Sequence, residues 1–356
     1  MEFCAITFHA TIPKTLKRIT KETSHHAETG ARTGAATLMG AYLARRLLAL
    51  VPTMLLASLI VFITIRLIPG DVIDLMLSQN DVSADKLSRD QLVAALGLDQ
   101  PVGWQYLRWV GAIVLHGDLG KSLWQNTPVT ELLLARLPVT FELGALALLV
   151  GLVIAVPIGI YSALRQDTAG DYIGRSFSIL LLAVPSFWLA TMVMVFPSIW
   201  WGWSPEVNYV RFGEDPLQNL KQMALPAVVL GASLSAITMR MMRTMMLEVL
   251  RQDYIRTAWA KGLPERLVVV RHALRNALVP VVTLVGLQAP LLLGGAVILE
   301  QIFVIPGMGL LLLEAVNQRD YPIITGVFLV VGVAIMMINL VVDLSYGLLD
   351  PKVRYR

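Results

Sequence analysis

The sequence predicts an all-α polytopic membrane protein with six transmembrane helices and both termini on the cytoplasmic side. Hydrophobic residues make up 56% of the 356 and charged residues only 15%, where soluble domains carry roughly a quarter charged residues. The apolar residues gather into uncharged runs, each close to the ~20 helical residues that cross a hydrocarbon core. Positive charge concentrates in alternate loops beside those runs, the pattern by which membrane orientation is encoded.

Residues 1–38 are polar, include Lys14, Lys17, Arg18 and Lys21, and hold no long apolar run. They predict a disordered extension with little apolar surface to bury, and Met39 opens the transmembrane region 39–356. The first span, about 47–66, is preceded by Arg45 and Arg46, with Arg66 placed to snorkel at its far end. Arg66 to Asp71 offers no small-residue cleavage site, so this span reads as an uncleaved signal anchor. The segment 70–140 carries eight carboxylates against five cations, as suits the side opposite the cytoplasm. Its His116–Ser122 run ends like a phosphate-binding loop, but the required first glycine is Leu115, which excludes that motif.

The second span, about 143–164, closes on the inner loop that holds Arg165 and Arg175. The third, about 176–200, has Pro185 in its middle and Trp188, Trp200 and Trp201 toward its outer half, followed by Trp203; tryptophan favours bilayer interfaces. Glu206, Glu214 and Asp215 outnumber Arg211 and Lys221 in the next, outer loop. The fourth span, about 223–240, delivers the chain to a basic stretch. The fifth, about 276–300, is interrupted by Pro280 and Pro290 and contains Gly286, Gly294 and Gly295, small residues that let helices pack closely. The sixth is about 321–343, and Lys352, Arg354 and Arg356 end the chain inside.

The stretch 240–275 is the polar centre of the chain. Eight Arg and Lys residues face three carboxylates there, a net +5 in a chain whose total is +4. Ile255, Ala258, Trp259, Gly262 and Leu263 fall at helical spacing on one face. Gly262 is predicted to stop that short helix and Pro264 to prevent its resumption. The surface left over is shallow and open to a second protein. The competing reading is an ordinary basic cytoplasmic loop.

Several function classes lack their residues. Cys4 is alone, the five histidines show no ligand spacing, and no HExxH or GxSxG is present. Positive charge beside apolar spans argues for topology rather than nucleic-acid binding. A secondary transporter typically carries ionisable groups at membrane depth, and Glu300 is the nearest case. Met239, Met241, Met242, Met245 and Met246 read as helix-end packing rather than a metal escort. What remains is a membrane channel-former driven by a partner.

Asp253-Tyr254-Ile255-Arg256-Thr257-Ala258-Trp259-Ala260-Lys261-Gly262-Leu263, followed by Arg271 to Pro280, resembles the cytoplasmic coupling loop of ABC-importer permeases. The likeness is to the first permease subunit of the dipeptide, oligopeptide and nickel class, and it spans roughly Met39 to Arg356. Leu96 to Pro101, Gly117 to Gly120, Pro185 to Trp188, Pro306 to Gly309, Arg319 to Pro322 and Asp350 to Arg354 match the same pattern in order. Arg256-Thr257-Ala258 stands where the broader permease consensus has Glu-Ala-Ala, Arg275 stands at a consensus proline, and Trp259 replaces an expected basic residue.

The resemblance implies an ABC type I importer permease fold in the bacterial inner membrane. It implies a homologous second permease, two cytoplasmic ABC ATPases holding ATP-Mg, and an extracytoplasmic substrate-binding protein; the chain itself would hydrolyse nothing and bind no cofactor, metal or nucleic acid. It assigns ATPase coupling to Asp253, Tyr254, Arg256, Thr257, Ala258, Ala260, Lys261, Gly262 and Leu263. Pro185, Ser186, Phe187, Trp188, Gln288 and Glu300 are candidates for a substrate path, with a packing kink the competing reading at Pro185. The expected cargo is a di- or oligopeptide. Nickel or another small solute on the same architecture is the alternative, and a secondary transporter the alternative class.

Overall fold

The computed structural model describes residues 45, 48–64, 99–204 and 208–349 and is built of helices, several of them long and apolar. The extension 1–38, the end of the first expected span, residues 70–98 of the outer segment and the basic end 350–356 lie outside the described residues. In order, the helices are α1 (Leu48–Thr64), α2 (Val102–His116), α3 (Val129–Leu164), α4 (Ala169–Ala183), α5 (Ser186–Trp201), α6 (Pro216–Leu250) and α7 (Asp253–Ala260). A helical turn, Glu265–Leu267, and a π-helical stretch, Val268–Leu274, lead straight into α8 (Arg275–Ile302). Then come α9 (Met308–Gln318) and α10 (Tyr321–Leu349). The chain divides into two units, residues 1–53 with 352–356 and residues 54–351. In the first, the described part is the opening of α1, where the Thr53 hydroxyl donates to the Leu50 carbonyl at 2.8 Å. All packing below lies within the second.

By length and composition α3, α6, the helix Glu265–Gly294 and α10 can each cross a membrane, and α4 with α5 can form a fifth, broken crossing. The helix over Leu48–Thr64 is apolar but shorter. Local chemistry explains several boundaries. Asp215 caps α6, its Oδ1 accepting from the backbone N–H of Leu217 and Gln218 at 3.0 and 3.1 Å, with Pro216 in the first turn. The expected third span is two helices bent by 93°. Pro185 follows the break and has no N–H to continue the ladder. The helix that holds the expected second span begins well before it, at Val129. Residues 240–250, placed in the basic loop by charge, continue α6 as helix.

α3 and α6 run parallel and meet at backbone distance. A Cβ on Gly151 would lie 3.1 Å from the Gly231 carbonyl, and one on Gly159 would lie 2.8 Å from the Met242 Cβ. Small residues make that approach possible. At the α7 end, Met242, Met246, Ala163, Val268, Val269, Ala273 and Ala277 close an apolar cluster. Nearer the other end, Leu143, Ala147, Met223, Leu230, Leu292 and Leu299 form a second.

Two buried carboxylates clasp that other end. Glu300 Oε1 accepts from the Thr140 hydroxyl at 2.6 Å, while Oε2 accepts the backbone N–H of Gly309 and Leu310 at 2.7 and 3.1 Å, so Glu300 caps α9. A Cβ at Gly307 would strike the Glu300 carboxylate, so a side chain there would displace the clasp. Asp320 Oδ2 accepts from the Ser122 hydroxyl at 2.6 Å and the Leu123 N–H at 3.0 Å, tying the α2–α3 loop to the start of α10. Burial pushes the Asp320 carboxyl above the usual carboxylate range, against the opposing pull of those donors. α2 leans on α1: the Tyr106 hydroxyl donates to the Leu55 carbonyl at 3.0 Å, and the Tyr106 and Phe62 rings meet edge to face at 5.3 Å. Residues 102–116 therefore lie along an apolar helix rather than standing clear of it.

Candidate functional site

α7 is short because it is stopped at both ends. α6 terminates at Leu250, and Gln252 precedes α7 in an extended conformation. At its other end Gly262 adopts a left-handed φ of 73°. The Gly262 N–H donates to the Trp259 carbonyl at 2.9 Å and the Leu263 N–H to the Ala258 carbonyl at 3.4 Å. This is a Schellman cap, which turns the chain and carries the following apolar residue back onto the helix. Leu263 accordingly packs on the cluster at the α7 end.

One edge of α7 is anchored and the other is free. Ile255 has no exposed surface and Ala258 little, and both sit in the cluster built from α3, α6 and the π-helical stretch. The Tyr254 hydroxyl accepts from Asn276 Nδ2 at 2.8 Å, linking α7 to the first turn of α8. Asp253, Arg256, Thr257, Ala260, Lys261 and Gly262 are exposed. Arg256 and Asp253 form an exposed ion pair at 3.5 Å, a contact worth little by itself. Trp259 departs from the expected face and is 44% exposed. The buried seam of so short a helix is only Ile255 and Ala258, three residues apart, and Trp259 lies one residue, about 100°, further round. Met242 and Met246 are fully buried in the same cluster, as helix-end packing.

The exposed edge thus offers an aromatic ring, two cations, a carboxylate, a hydroxyl and a bare glycine backbone on a rigid base. No nucleophile and base are paired there. This edge stands open to solvent, while the anchored one packs against residues of α3, α6, the π-helical stretch and α8.

The candidates for a substrate path are dispersed. Pro185 and Ser186 stand at the α4–α5 break, and Phe187 and Trp188 are each 49% exposed. Gln288 is buried in α8, its Nε2 donating to Thr238 Oγ1 at 3.2 Å. Glu300, on the same helix, directs both carboxylate oxygens to groups within the protein. An apolar groove of about 630 Å³ lies among Leu137, Phe141, Val282, Gly286, Val330 and Met337, and its lining side chains are all apolar. The sequence reading missed Thr140, Asp171 and Arg243, the partners of the buried charges. The available signal was a carboxylate and a guanidinium each lying at the end of an apolar run.

Residues 155–355 match the family described as "Binding-protein-dependent transport system inner membrane component", and residues 39–144 match its N-terminal companion. The chain belongs to that family and is a multi-pass protein of the bacterial inner membrane. It is 37% identical over 338 residues to the dipeptide transport system permease protein DppB of Escherichia coli K12, covering 88% of this chain and 99% of that one. The corresponding protein of Escherichia coli O157:H7 matches to the same extent. A chain of the MetNI methionine ABC transporter, solved in inward-facing conformations, shares the fold with a TM-score of 0.50 at 17% identity, covering 62% of this chain and 97% of that one.

Proposed function

We propose that this chain is the permease subunit of an ATP-driven, binding-protein-dependent importer of di- or oligopeptides, and that α7 is the element through which partner ATPases drive it. The observation that carries the coupling role is the division of α7 into an edge locked in the cluster shared by three long helices and an edge open to a partner. The dipeptide permease relative, aligned along nearly its whole length, supports the substrate class. ATP-Mg binds and is hydrolysed on two separate cytoplasmic subunits, a homologous second permease completes the pathway, and an external binding protein delivers the peptide. In this reading six spans cross the membrane, with the α7 end and both termini inside, because reversal would place the +5 stretch outside. Asp253, Tyr254, Arg256, Thr257, Ala258, Ala260, Lys261, Gly262 and Leu263 form or brace the docking element, whereas Glu300 serves as a clasp more than as a path residue.

The test is reconstitution of the permease in proteoliposomes with its partner permease, ATPases and binding protein. Dipeptide should accumulate only when ATP reaches the ATPase side. Uptake that follows an ion gradient and persists without the ATPases would establish a secondary transporter instead. Orientation is checked separately, with Gln125→Cys in a Cys4→Ser background; Gln125 is exposed in the α2–α3 loop. An impermeant thiol reagent should label it in intact spheroplasts. Labelling only after lysis would reverse the topology.

A further inference from the structure

One guanidinium joins three helices near the α7 end. Arg243, on α6, keeps only 17% of its side chain exposed. Its Nε donates to Asp171 Oδ1 and its Nη2 to Asp171 Oδ2, both at 2.9 Å, and Nε also lies 3.1 Å from the Ser162 hydroxyl on α3. Asp171, in the first turn of α4, has no exposed surface. It also accepts from the Ser162 hydroxyl and from the Asp167 N–H, and Arg175 approaches it at 3.5 Å.

Removing two charges from water is expensive, and an apolar pair of similar volume commonly holds a structure as well or better. Stability alone therefore does not account for this ion pair. What an apolar pair lacks is directional register. A bidentate fork fixes α4 against α6 both along and around the helix axes. Seven residues further on, the Ser178 hydroxyl donates to the Ala236 carbonyl at 3.1 Å. Seven residues forward on α4 match seven residues back on α6, so the two helices are antiparallel and joined at two points about two turns apart.

The connections at the two ends of this assembly differ. α6 runs unbroken to Leu250, and two residues separate it from α7. α4 ends at the 93° break before Pro185, and beyond it α5 buries only Ala190 among its residues. The ion pair and the Ser178 bond thus tie α4 to the helix that leads to α7, and the break separates α5 from that pair.

We infer that Asp171 and Arg243 are positioning residues for transport: their ion pair locks the first half of the broken crossing to the helix that bears the docking element, and makes the 184–185 bend the hinge. This rests on the importer reading above. The test compares wild type, the apolar double variant Asp171→Leu/Arg243→Met, Arg243→Lys and the exposed control Lys221→Ala, each assembled with its partner subunits in proteoliposomes. Membrane abundance, ATPase rate and peptide imported per ATP hydrolysed are measured. The double variant should keep its abundance and ATPase rate while peptide imported per ATP falls about two- to thirtyfold, the range found when contacts along a coupling network are removed. Arg243→Lys retains the charge without the fork and should fall between, and Lys221→Ala should match wild type. An unchanged ratio in the double variant overturns the inference. So does a loss of abundance and ATPase rate in step with import, since the pair would then be a structural brace only. A wild-type complex without ATP-driven uptake would sink the importer reading and this inference with it, whereas a coupled wild type beside an equally coupled double variant sinks this inference alone.

Discussion

Gly262→Asp is expected to abolish uptake while leaving the permease inserted at close to normal abundance. The position tolerates a side chain sterically, since nothing lies within 4 Å of a Cβ built there. The conformational cost is about 1–2 kcal/mol for a left-handed residue, toward the lower end for aspartate, which adopts that region more readily than most. The spans are untouched. What changes is the docking edge, where a bare backbone beside Lys261 and Ala260 gains bulk and negative charge. If the glycine sits at the centre of a desolvated contact, the loss is about 2–4 kcal/mol of docking energy, roughly thirtyfold or more in ATPase affinity. Gly262→Asn separates the two causes, for it adds nearly the same atoms without the charge and should lose less. Quantitative co-purification of the ATPases and peptide uptake are the measurements. Normal transport by Gly262→Asp with the ATPases still bound would reduce residues 240–275 to a basic connection and remove the coupling role from α7.

Gly231→Leu is expected to fail earlier, at folding. A Cβ at Gly231 would lie 2.5 Å from the Ala147 carbonyl, 3.0 Å from the Val150 Cβ and 3.1 Å from the Gly151 nitrogen. Two of these are backbone atoms of α3 and cannot move aside as a flexible side-chain end can. α3 and α6 would have to separate, disturbing the cluster that holds Leu143, Ala147 and Leu230. Overpacking of this kind costs about 3 kcal/mol or more, a large share of the stability of an ordinary domain. Membrane abundance should collapse, and no change of ATPase or substrate should restore it. Gly111→Leu on α2, where nothing lies within 4 Å of the added Cβ, should accumulate like wild type. Normal abundance of Gly231→Leu would mean that α3 and α6 are not held at backbone distance in the membrane.

The sequence by itself determined the membrane class, the apolar helices and the position of the short polar helix, because these depend on composition, run length and local stop signals. Gly262 and Pro264 end α7 through chemistry carried within a few residues, and Asp215 with Pro216 begins α6 in the same way. The tertiary structure decided the rest. Pro185 announced a kink through its missing N–H and its bias of Val184 toward extended backbone, but the 93° angle between the two helices was visible only in the structure. Helical spacing placed Trp259 on the anchored face, whereas the room left beside Ile255 and Ala258 put it outside. The clasps were invisible for a simpler reason: Thr140 finds Glu300 across 160 residues, Ser122 finds Asp320 across 198, and Asp171 finds Arg243 across 72. A period or a motif records neighbours along the chain, while a buried charge is satisfied by whichever donor the folded bundle brings within about 3 Å.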